Sequence, residues 1–225
     1  MVRGYLGEVQ GKDVAPEGRT MKIYVDFDDV LTETAQELAA LLWTTHRKRV
    51  DFEAIADFNL QISFGLDADE YRRFMEQAHA PDILARLRPV PDACGVLRRW
   101  LDDGLRPVVV TGRPASSHAD SRRWLDDHGL TDMPLIHVNK YQRNIGHSPQ
   151  GIPVYTFPEL QAMNFAYAVD DAPPALDLLV ASNVCPVVIF DRPWNRGYIP
   201  ANGGGASWRR ATHWAELDRV IRSVI

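Results

Sequence analysis

MKIYVDFDD, residues 21–29, joins a short apolar run to a closely spaced group of acids. The aromatic and β-branched residues before Asp26 predict a buried strand, because such side chains pack well on a pleated surface. The acids follow at the point where that strand ends. Ligands of open α/β sheets bind at the carboxyl ends of the strands. Asp26 and Asp28 are therefore the first candidates for functional side chains.

Downstream of this strand, apolar strands alternate with amphipathic segments. Further strands are predicted at residues 105–111, 134–138, 166–171 and 185–190. This alternation is typical of a parallel sheet covered by helices on both faces, so we expect an α/β protein with a Rossmann-like core. The predicted helices cover residues 34–50, 67–79, 91–103, 117–129, 173–182 and the tail from 213. The predicted helix caps are Asp67 with Glu70 and Ser117 with Asp120.

Residues 36–90 interrupt the alternation, because they predict helices without a convincing strand. We interpret them as a small helical cap inserted after the first strand, with residues 21–35 and 91–225 forming the α/β core. Residues 1–20 contain four glycines and little apolar periodicity. They predict a flexible N-terminal extension.

The composition excludes several classes of protein. With 45% apolar residues and a net charge of -5, the chain is not intrinsically disordered, and duplex nucleic acid is not an expected partner. No apolar run reaches the 18 or so residues of a membrane-spanning helix, and residues 1–20 lack the apolar core of a secretory signal. Cys94 and Cys185 are isolated, which predicts reduced thiols and a cytoplasmic location.

The ends of three later strands also carry polar groups. These groups are Thr111, Gly112 and Arg113 after the second strand, Lys140 after the third, and Asp170 and Asp171 at the fourth. Acids gathered in one crevice require a cation or protons, because like charges repel. Oxygen ligands favour Mg²⁺, which commonly shares a substrate phosphate. A hydroxyl, a lysine and turn amides would complete a phosphate pocket.

Asp26 and Asp28 can take different roles, because side chains two residues apart share a face only while the strand remains extended. At the turn the two carboxylates can diverge. One can then attack a substrate while the other handles a proton.

In their order along the chain, these segments resemble the four motifs of haloacid-dehalogenase-like phosphohydrolases: Asp26-Phe27-Asp28-Asp29-Val30, Thr111-Gly112, Lys140 and Asp170-Asp171. The resemblance covers about residues 21–225 and places 36–90 where that superfamily has its first cap insertion. It implies that Asp26 is a nucleophile that forms an aspartyl-phosphate. It also implies that Asp28 protonates the leaving alcohol and then activates water.

The same resemblance implies a Mg²⁺ site and a phosphate site. The implied Mg²⁺ ligands are Asp26, the Asp28 carbonyl and Asp170, with Asp171 nearby or acting through water. The implied phosphate contacts are Thr111, Gly112 and Lys140.

Within the superfamily the chain is most similar to the C-type 5′(3′)-deoxyribonucleotidases and their uncharacterised relatives. VVIFDRPWNRGY, residues 187–198, resembles their late strand and loop, and LIHVNK, residues 135–140, resembles their lysine strand. Two features depart from their pattern. Asp29 stands where the family has glycine, and Gly-Arg-Pro follows Thr111.

The favoured hypothesis is a Mg²⁺-dependent phosphomonoesterase for a small phosphorylated metabolite, with a (deoxy)nucleoside monophosphate as the preferred substrate. A phosphatase for sugar phosphates or other organic phosphates, and a catalytically silent binding protein, remain alternatives. A signalling receiver domain is disfavoured, because receivers place a pair of acids before the phosphoacceptor aspartate. Arg113 either reaches the substrate or pairs with an acid. In the cap, Phe64 is the favoured substrate contact, while Tyr71 and Phe74 are expected in the core.

Overall fold

The computed structural model describes residues 21–140, 151–181, 185–200 and 208–223. Within these residues, seven strands form one sheet in the order β4-β3-β2-β1-β5-β6-β7, with every neighbouring pair parallel. The strands are β1 (Lys22–Asp26), β2 (Arg106–Thr111), β3 (Leu135–Val138), β4 (Val154–Tyr155), β5 (Tyr167–Asp170), β6 (Val187–Phe190) and β7 (Trp208–Ala211). β1 lies at the centre, so the acids that follow it occupy the middle of the sheet edge.

Helices cover both faces of the sheet. The helices are α1 (Thr34–His46), α2 (Leu60–Ser63), α3 (Ala68–Ala78), α4 (Pro81–Arg86), α5 (Ala93–Asp102), α6 (His118–Asp127), α7 (Phe157–Gln161), α8 (Pro173–Ala181) and α9 (Trp214–Arg222). One buried cluster joins α5, α6 and α9 to one face, and a second joins α7 and α8 to the other. The predicted α/β fold with a parallel, doubly covered sheet is confirmed.

Two strands, β4 and β7, were not predicted from the sequence, and both lie at the edges of the sheet. β4 has only two residues, which is too short for a detectable alternation. β7 has the sequence WRRA, and its two arginines interrupt the apolar pattern that would predict a strand. Edge strands tolerate such charged side chains. The five predicted strands are all present, each within two residues of its predicted bounds.

The two predicted helix caps had different outcomes. The capping box of α3 is confirmed, since the Asp67 carboxylate accepts from the Glu70 amide and the Glu70 carboxylate accepts from the Asp67 amide. For α6 the predicted position is confirmed, since Ser117 is the residue just before the helix, but its side chain makes no capping bond. The Ser117 hydroxyl donates to the carbonyl of Pro114 at 2.7 Å instead of capping the helix, because a short 3₁₀ turn precedes α6.

Between β1 and β2 the chain forms only helices and a 3₁₀ turn, apart from isolated bridges at Thr32. α1 and α3 share a separate apolar cluster with the side chain of Trp194, which follows β6. The boundary of the cap at 36–90 stays a prediction, and residues 1–20 lie outside the described part of the chain. Among the described helices, none has the length and apolar composition needed to cross a bilayer.

Candidate active site

The central strands place the predicted site residues side by side. β1 pairs with β5 with Val25 opposite Val169, so Asp26 and Asp170, the next residue of each strand, end neighbouring strands. On the other side of β1, Asp26 is opposite Val110, and Thr111 follows immediately. The parallel sheet thus brings residues from distant parts of the sequence to one edge.

Lys140 connects the ends of these strands. Its Nζ lies 2.7 Å from Oδ1 of Asp26 and 2.8 Å from Oδ2 of Asp170, and its side chain is fully buried. The same Oδ1 of Asp26 accepts a hydrogen bond from the amide of Phe27 at 2.7 Å. A buried lysine requires compensating negative charge, and these two carboxylates supply it.

Three buried acids form the most negative part of the site. One carboxylate oxygen from each of Asp26, Asp170 and Asp171 lies within 4.8 Å of the others. Burial raises the pKa of Asp26 well above its usual range, and the neighbouring Asp170 charge adds to the effect. Burial likewise raises the pKa of Asp171, with the Asp26 charge as the next cause. Burial is the larger cause of both shifts, and repulsion between the neighbouring acids adds to it, although Lys140 lowers the pKa of Asp26 and Arg192 lowers that of Asp171.

Asp28 diverges from Asp26 and faces a different partner. Arg113 donates to Oδ1 of Asp28 from Nη2 at 2.7 Å and from Nε at 3.0 Å, and Thr34 donates to the same oxygen at 2.8 Å. Burial alone would raise the pKa of Asp28, but the charge and hydrogen bonds of Arg113 outweigh it, and the pKa lies below its ordinary value. Of the two alternatives for Arg113, the structure shows the ion pair with an acid.

Arg113 is itself fixed on three sides. Its Nη1 donates to the Ser121 hydroxyl at 3.1 Å, and its guanidinium carbon lies 4.0 Å from the centre of the Phe27 ring. The carbonyl of Arg113 accepts from Nδ1 of His137 at 3.0 Å. A planar guanidinium held this way orients a carboxylate more tightly than a lysine could.

Asp29, which stands where the family that the sequence resembles has glycine, has a left-handed backbone with φ of 58°. Glycine adopts this conformation without cost, and aspartate is among the few other residues that tolerate it. The Asp29 carboxylate accepts from the amide of Ala35 at 2.9 Å, at the first turn of α1. Burial raises the pKa of Asp29 to about 7. This acid therefore has a structural role in the turn.

The turn after β2 contains the predicted phosphate contacts. Oγ1 of Thr111 accepts from the amide of Arg113 at 3.1 Å, and the Thr111 side chain is fully buried. A hydroxyl can accept and donate at once, so its proton remains suited to a phosphate oxygen. Gly112, the next residue, lines the cavity in front of the acids. Their contact with phosphate stays a prediction.

A cavity of about 310 Å³ opens between the acids and the helices of the cap region. Its sheet side contains Asp26, Asp28, Asp29, Asp171, Gly112 and Arg113. Its opposite side is mainly apolar and includes Leu38, Phe58, Leu60, Tyr71, Met75, Leu84 and Leu87. The polar side suits a phosphate with its cation, and the apolar side suits the organic part of an ester.

The prediction that Phe64 faces the substrate is wrong. It is 2% exposed, packs edge-on against Phe74 with ring centres 5.6 Å apart, and does not line the cavity. Tyr71, expected in the core, lines the cavity instead. Phe64 belongs to the core because it directly follows the short helix α2 and packs against Phe74 of α3.

Sequence reasoning missed His79, which also lines the cavity. His79 Nδ1 lies 2.7 Å from the carbonyl of Met75, which can only accept, so Nδ1 carries a proton. Helical spacing could have found it, because Tyr71, Met75 and His79 are four residues apart and share one face. The sequence left open whether the loop after β6 closes the site. Trp194 of that loop lines the cavity and donates from Nε1 to Oδ2 of Asp171 at 2.9 Å.

Comparison with known families now adds to this geometry. The family described as "5' nucleotidase, deoxy (Pyrimidine), cytosolic type C protein" matches residues 19–145, more than half of the chain. The chain belongs to this family. The matched segment of this type C nucleotidase family member contains Asp26, Asp28, Thr111 and Lys140, while Asp170 lies beyond it. The chain is therefore a phosphoric monoester hydrolase of the haloacid-dehalogenase-like superfamily.

A curated relative has a similar sequence, and solved structures share the fold. A curated Halalkalibacterium halodurans protein named "putative nucleotidase" is 22% identical over 197 residues, covering 88% of this chain and 90% of its own. A haloacid dehalogenase-like hydrolase from Streptococcus pneumoniae shares the fold with a TM-score of 0.57 at 13% identity, covering 91% of this chain and 98% of its own. A predicted phosphoglycolate phosphatase from Haemophilus somnus has a TM-score of 0.56 at 16% identity, with 93% and 100% covered.

Proposed function

We propose that this nucleotidase family member is a Mg²⁺-dependent phosphomonoesterase that works through an aspartyl-phosphate on Asp26, with a (deoxy)nucleoside monophosphate as its preferred substrate. The observation that carries the proposal is the meeting of Asp26, Lys140 and Asp170 at one sheet edge, beside a cavity with an apolar opposite wall. The family match supports a nucleotide as substrate, with the nucleoside as its leaving group. A cytoplasmic location fits the free thiols of Cys94 and Cys185.

The donor set fits a magnesium ion. Asp26, Asp170 and Asp171 offer carboxylate oxygens close together, are almost fully buried, and carry more negative charge than Lys140 balances. All-oxygen donors favour Mg²⁺ over softer metals. These three side chains, with the carbonyl of Asp28, would hold the ion, and it would supply positive charge beside the phosphate oxygens.

In the first step, an Asp26 carboxylate oxygen attacks the phosphorus, and the bond from phosphorus to the ester oxygen breaks. Asp28 gives a proton to the departing oxygen. Asp28 needs that proton, although Arg113 favours its charged form. The incoming phosphate dianion repels the Asp28 charge and competes for Arg113, and both effects raise the pKa of Asp28.

In the second step, water attacks the phosphorus of the aspartyl-phosphate, and the bond from phosphorus to Asp26 breaks. Asp28, now charged, takes a proton from that water, and Arg113 stabilises the charged form until this point. Lys140 and the Thr111 hydroxyl would hold the phosphoryl oxygens through both steps. The apolar side of the cavity would exclude bulk water while the covalent bond exists.

The test is a phosphate-release screen with Mg²⁺ over nucleoside monophosphates, sugar phosphates and small organic phosphates. The proposal expects the highest kcat/KM with nucleoside monophosphates. A clear preference for sugar phosphates would favour the second candidate, a phosphatase for small polar esters. The apolar wall formed by Leu38, Leu60 and Met75 disfavours this second candidate, because such a surface offers no hydrogen bonds to the hydroxyl groups of a sugar.

A further inference from the structure

Tyr24 is a buried tyrosine that the proposed chemistry leaves unused. It lies on β1 two residues before Asp26, and alternate residues of a strand share a face. The hydroxyl therefore lies on the same side of the sheet as the nucleophile and one step deeper. It donates to Oδ2 of Asp170, on neighbouring β5, at 2.6 Å. The side chain is fully buried.

The hydrogen bonds of Asp170 determine which of its oxygens can bind a cation. Oδ2 accepts from the Tyr24 hydroxyl and from Nζ of Lys140, so both of its acceptor sites are used. Oδ1 accepts from the amide of Ala172 at 2.9 Å. The described residues therefore provide three donors to the carboxylate of Asp170. The one acceptor site that they do not use is on Oδ1.

The ring of Tyr24 also has defined packing partners. Phe165 packs edge-on against it with ring centres 5.8 Å apart, and Nζ of Lys140 lies 5.3 Å from the ring centre. Opposite Tyr24 on β5 stands Ala168, whose small side chain leaves room for the phenol. A phenylalanine would fill the same space, so packing does not require the hydroxyl. The hydroxyl serves the carboxylate.

We infer that Tyr24 is a positioning residue for the divalent cation, which turns Asp170 so that Oδ1 faces the metal. The inference rests on the proposed function, because it assumes that the acid cluster binds Mg²⁺. Groups that orient the ligands of a metal commonly change metal affinity 10–100-fold when they are removed. Without the hydroxyl, Lys140 alone would hold Oδ2, and the carboxylate could rotate about its terminal bond.

The matched pair of variants is Tyr24→Phe and Tyr198→Phe. Tyr198 donates to the carboxylate of Asp177, outside the acid cluster, so its variant removes the same kind of hydrogen bond at an unrelated place. Mg²⁺ binding is measured by isothermal titration calorimetry without substrate, and steady-state kinetics are measured at saturating Mg²⁺. Tyr24→Met, which also lacks the hydroxyl, is the second variant should phenylalanine disturb the fold.

The inference expects the Kd for Mg²⁺ to rise about 10-fold in Tyr24→Phe and in Tyr24→Met. In Tyr198→Phe the Kd stays that of the wild type. At saturating Mg²⁺ the kcat of Tyr24→Phe stays within about 3-fold of wild type, because the reacting groups are intact. Wild-type Kd values in both Tyr24 variants would overturn the role of Tyr24 alone. A wild-type protein that binds no Mg²⁺ would instead overturn the proposed metal site.

Discussion

Arg113 holds the carboxylate of Asp28 with Nη2 2.7 Å from Oδ1, although the two residues are 85 positions apart in sequence. Each of them lies in the turn that follows one of two neighbouring strands, β1 and β2. The Arg113 side chain is 3% exposed, whereas that of Asp28 is 30% exposed and lines the cavity. The arginine is thus fixed in the protein while the acid faces the cavity. This geometry fixes the Asp28 carboxylate and favours its charged form, and under the proposed mechanism it would orient Asp28 for proton transfer.

Replacing Arg113 by methionine is expected to lower kcat/KM by about 100-fold, because Asp28 loses the group that orients it. Stability should fall by about 3 kcal/mol, since one partner of a largely buried ion pair is removed. Steady-state kinetics and thermal unfolding measure both effects. Arg86→Met, which changes an exposed arginine near Asp82 and Glu37, is the control and should keep wild-type kinetics. Unchanged kcat/KM in Arg113→Met would contradict the positioning of Asp28.

Asp29→Asn should change the pH dependence of stability. Burial raises the pKa of Asp29 to about 7, above its ordinary 3.8. Between about pH 4 and pH 7 the folded chain therefore holds a proton that the unfolded chain releases, so this group lowers stability as the pH rises through that window. Asparagine lacks the effect, tolerates the left-handed backbone, and can still accept from the Ala35 amide.

The melting temperatures of wild type and Asp29→Asn are compared at pH 5 and pH 8 in the presence of a chelator. The variant should gain stability relative to wild type at pH 8 compared with pH 5. An equal difference at both values would show that Asp29 does not titrate in this window.

Mg²⁺ should stabilise the folded protein, because the acid cluster of Asp26, Asp170 and Asp171 exists only in the folded state. At 100 times its Kd, the ion would add about 2.7 kcal/mol, which raises the melting temperature of a chain of this size by about 5–10 °C. Chelator should remove both the rise and the activity. Asp170→Asn should lose most of the rise. Full activity in excess chelator would rule out the metal-dependent mechanism.

Tyr71→Leu should change substrate specificity, whereas Phe64→Leu should lower stability and leave specificity unchanged. Tyr71 lines the cavity, so its variant should change the ratio of kcat/KM between a nucleoside monophosphate and phenyl phosphate by about 5-fold. Phe64 is buried against Phe74, so its variant should lose about 1–2 kcal/mol of stability and keep that ratio. A change of the ratio in Phe64→Leu alone would return the substrate contact to Phe64.

The central part of the fold could be predicted because its signals are local and apolar. β1, β2 and β5 are buried runs whose last residues are polar, so the place of Asp26 and Asp170 follows from the pattern alone. β4 and β7 could not be predicted, because a two-residue strand has no period and an edge strand can carry arginines. Only the register of the sheet reveals them.

Side-chain partners in the site were harder to predict than the positions of their residues. Helical spacing correctly placed Tyr71 and Phe74 on the inner side of α3, but it cannot separate the wall of a cavity from a packed core, because both are apolar. The ion pair of Arg113 with Asp28 was one of two open alternatives, since its choice depends on how two turns approach each other. The bond from Tyr24 to Asp170 depends on the register of β1 and β5.

The central claim is covalent catalysis by Asp26, and acid-quenched phosphoenzyme trapping tests it most directly. Wild type, Asp26→Asn and Asp29→Asn are each mixed with a substrate labelled in its phosphate, quenched within milliseconds and digested. Wild type and Asp29→Asn should carry the label on the peptide that contains residues 21–29. Asp26→Asn should carry none, lose at least about 10⁴-fold in kcat, and keep its melting temperature. Turnover with no labelled peptide in wild type, or a label that persists in Asp26→Asn, would contradict the account.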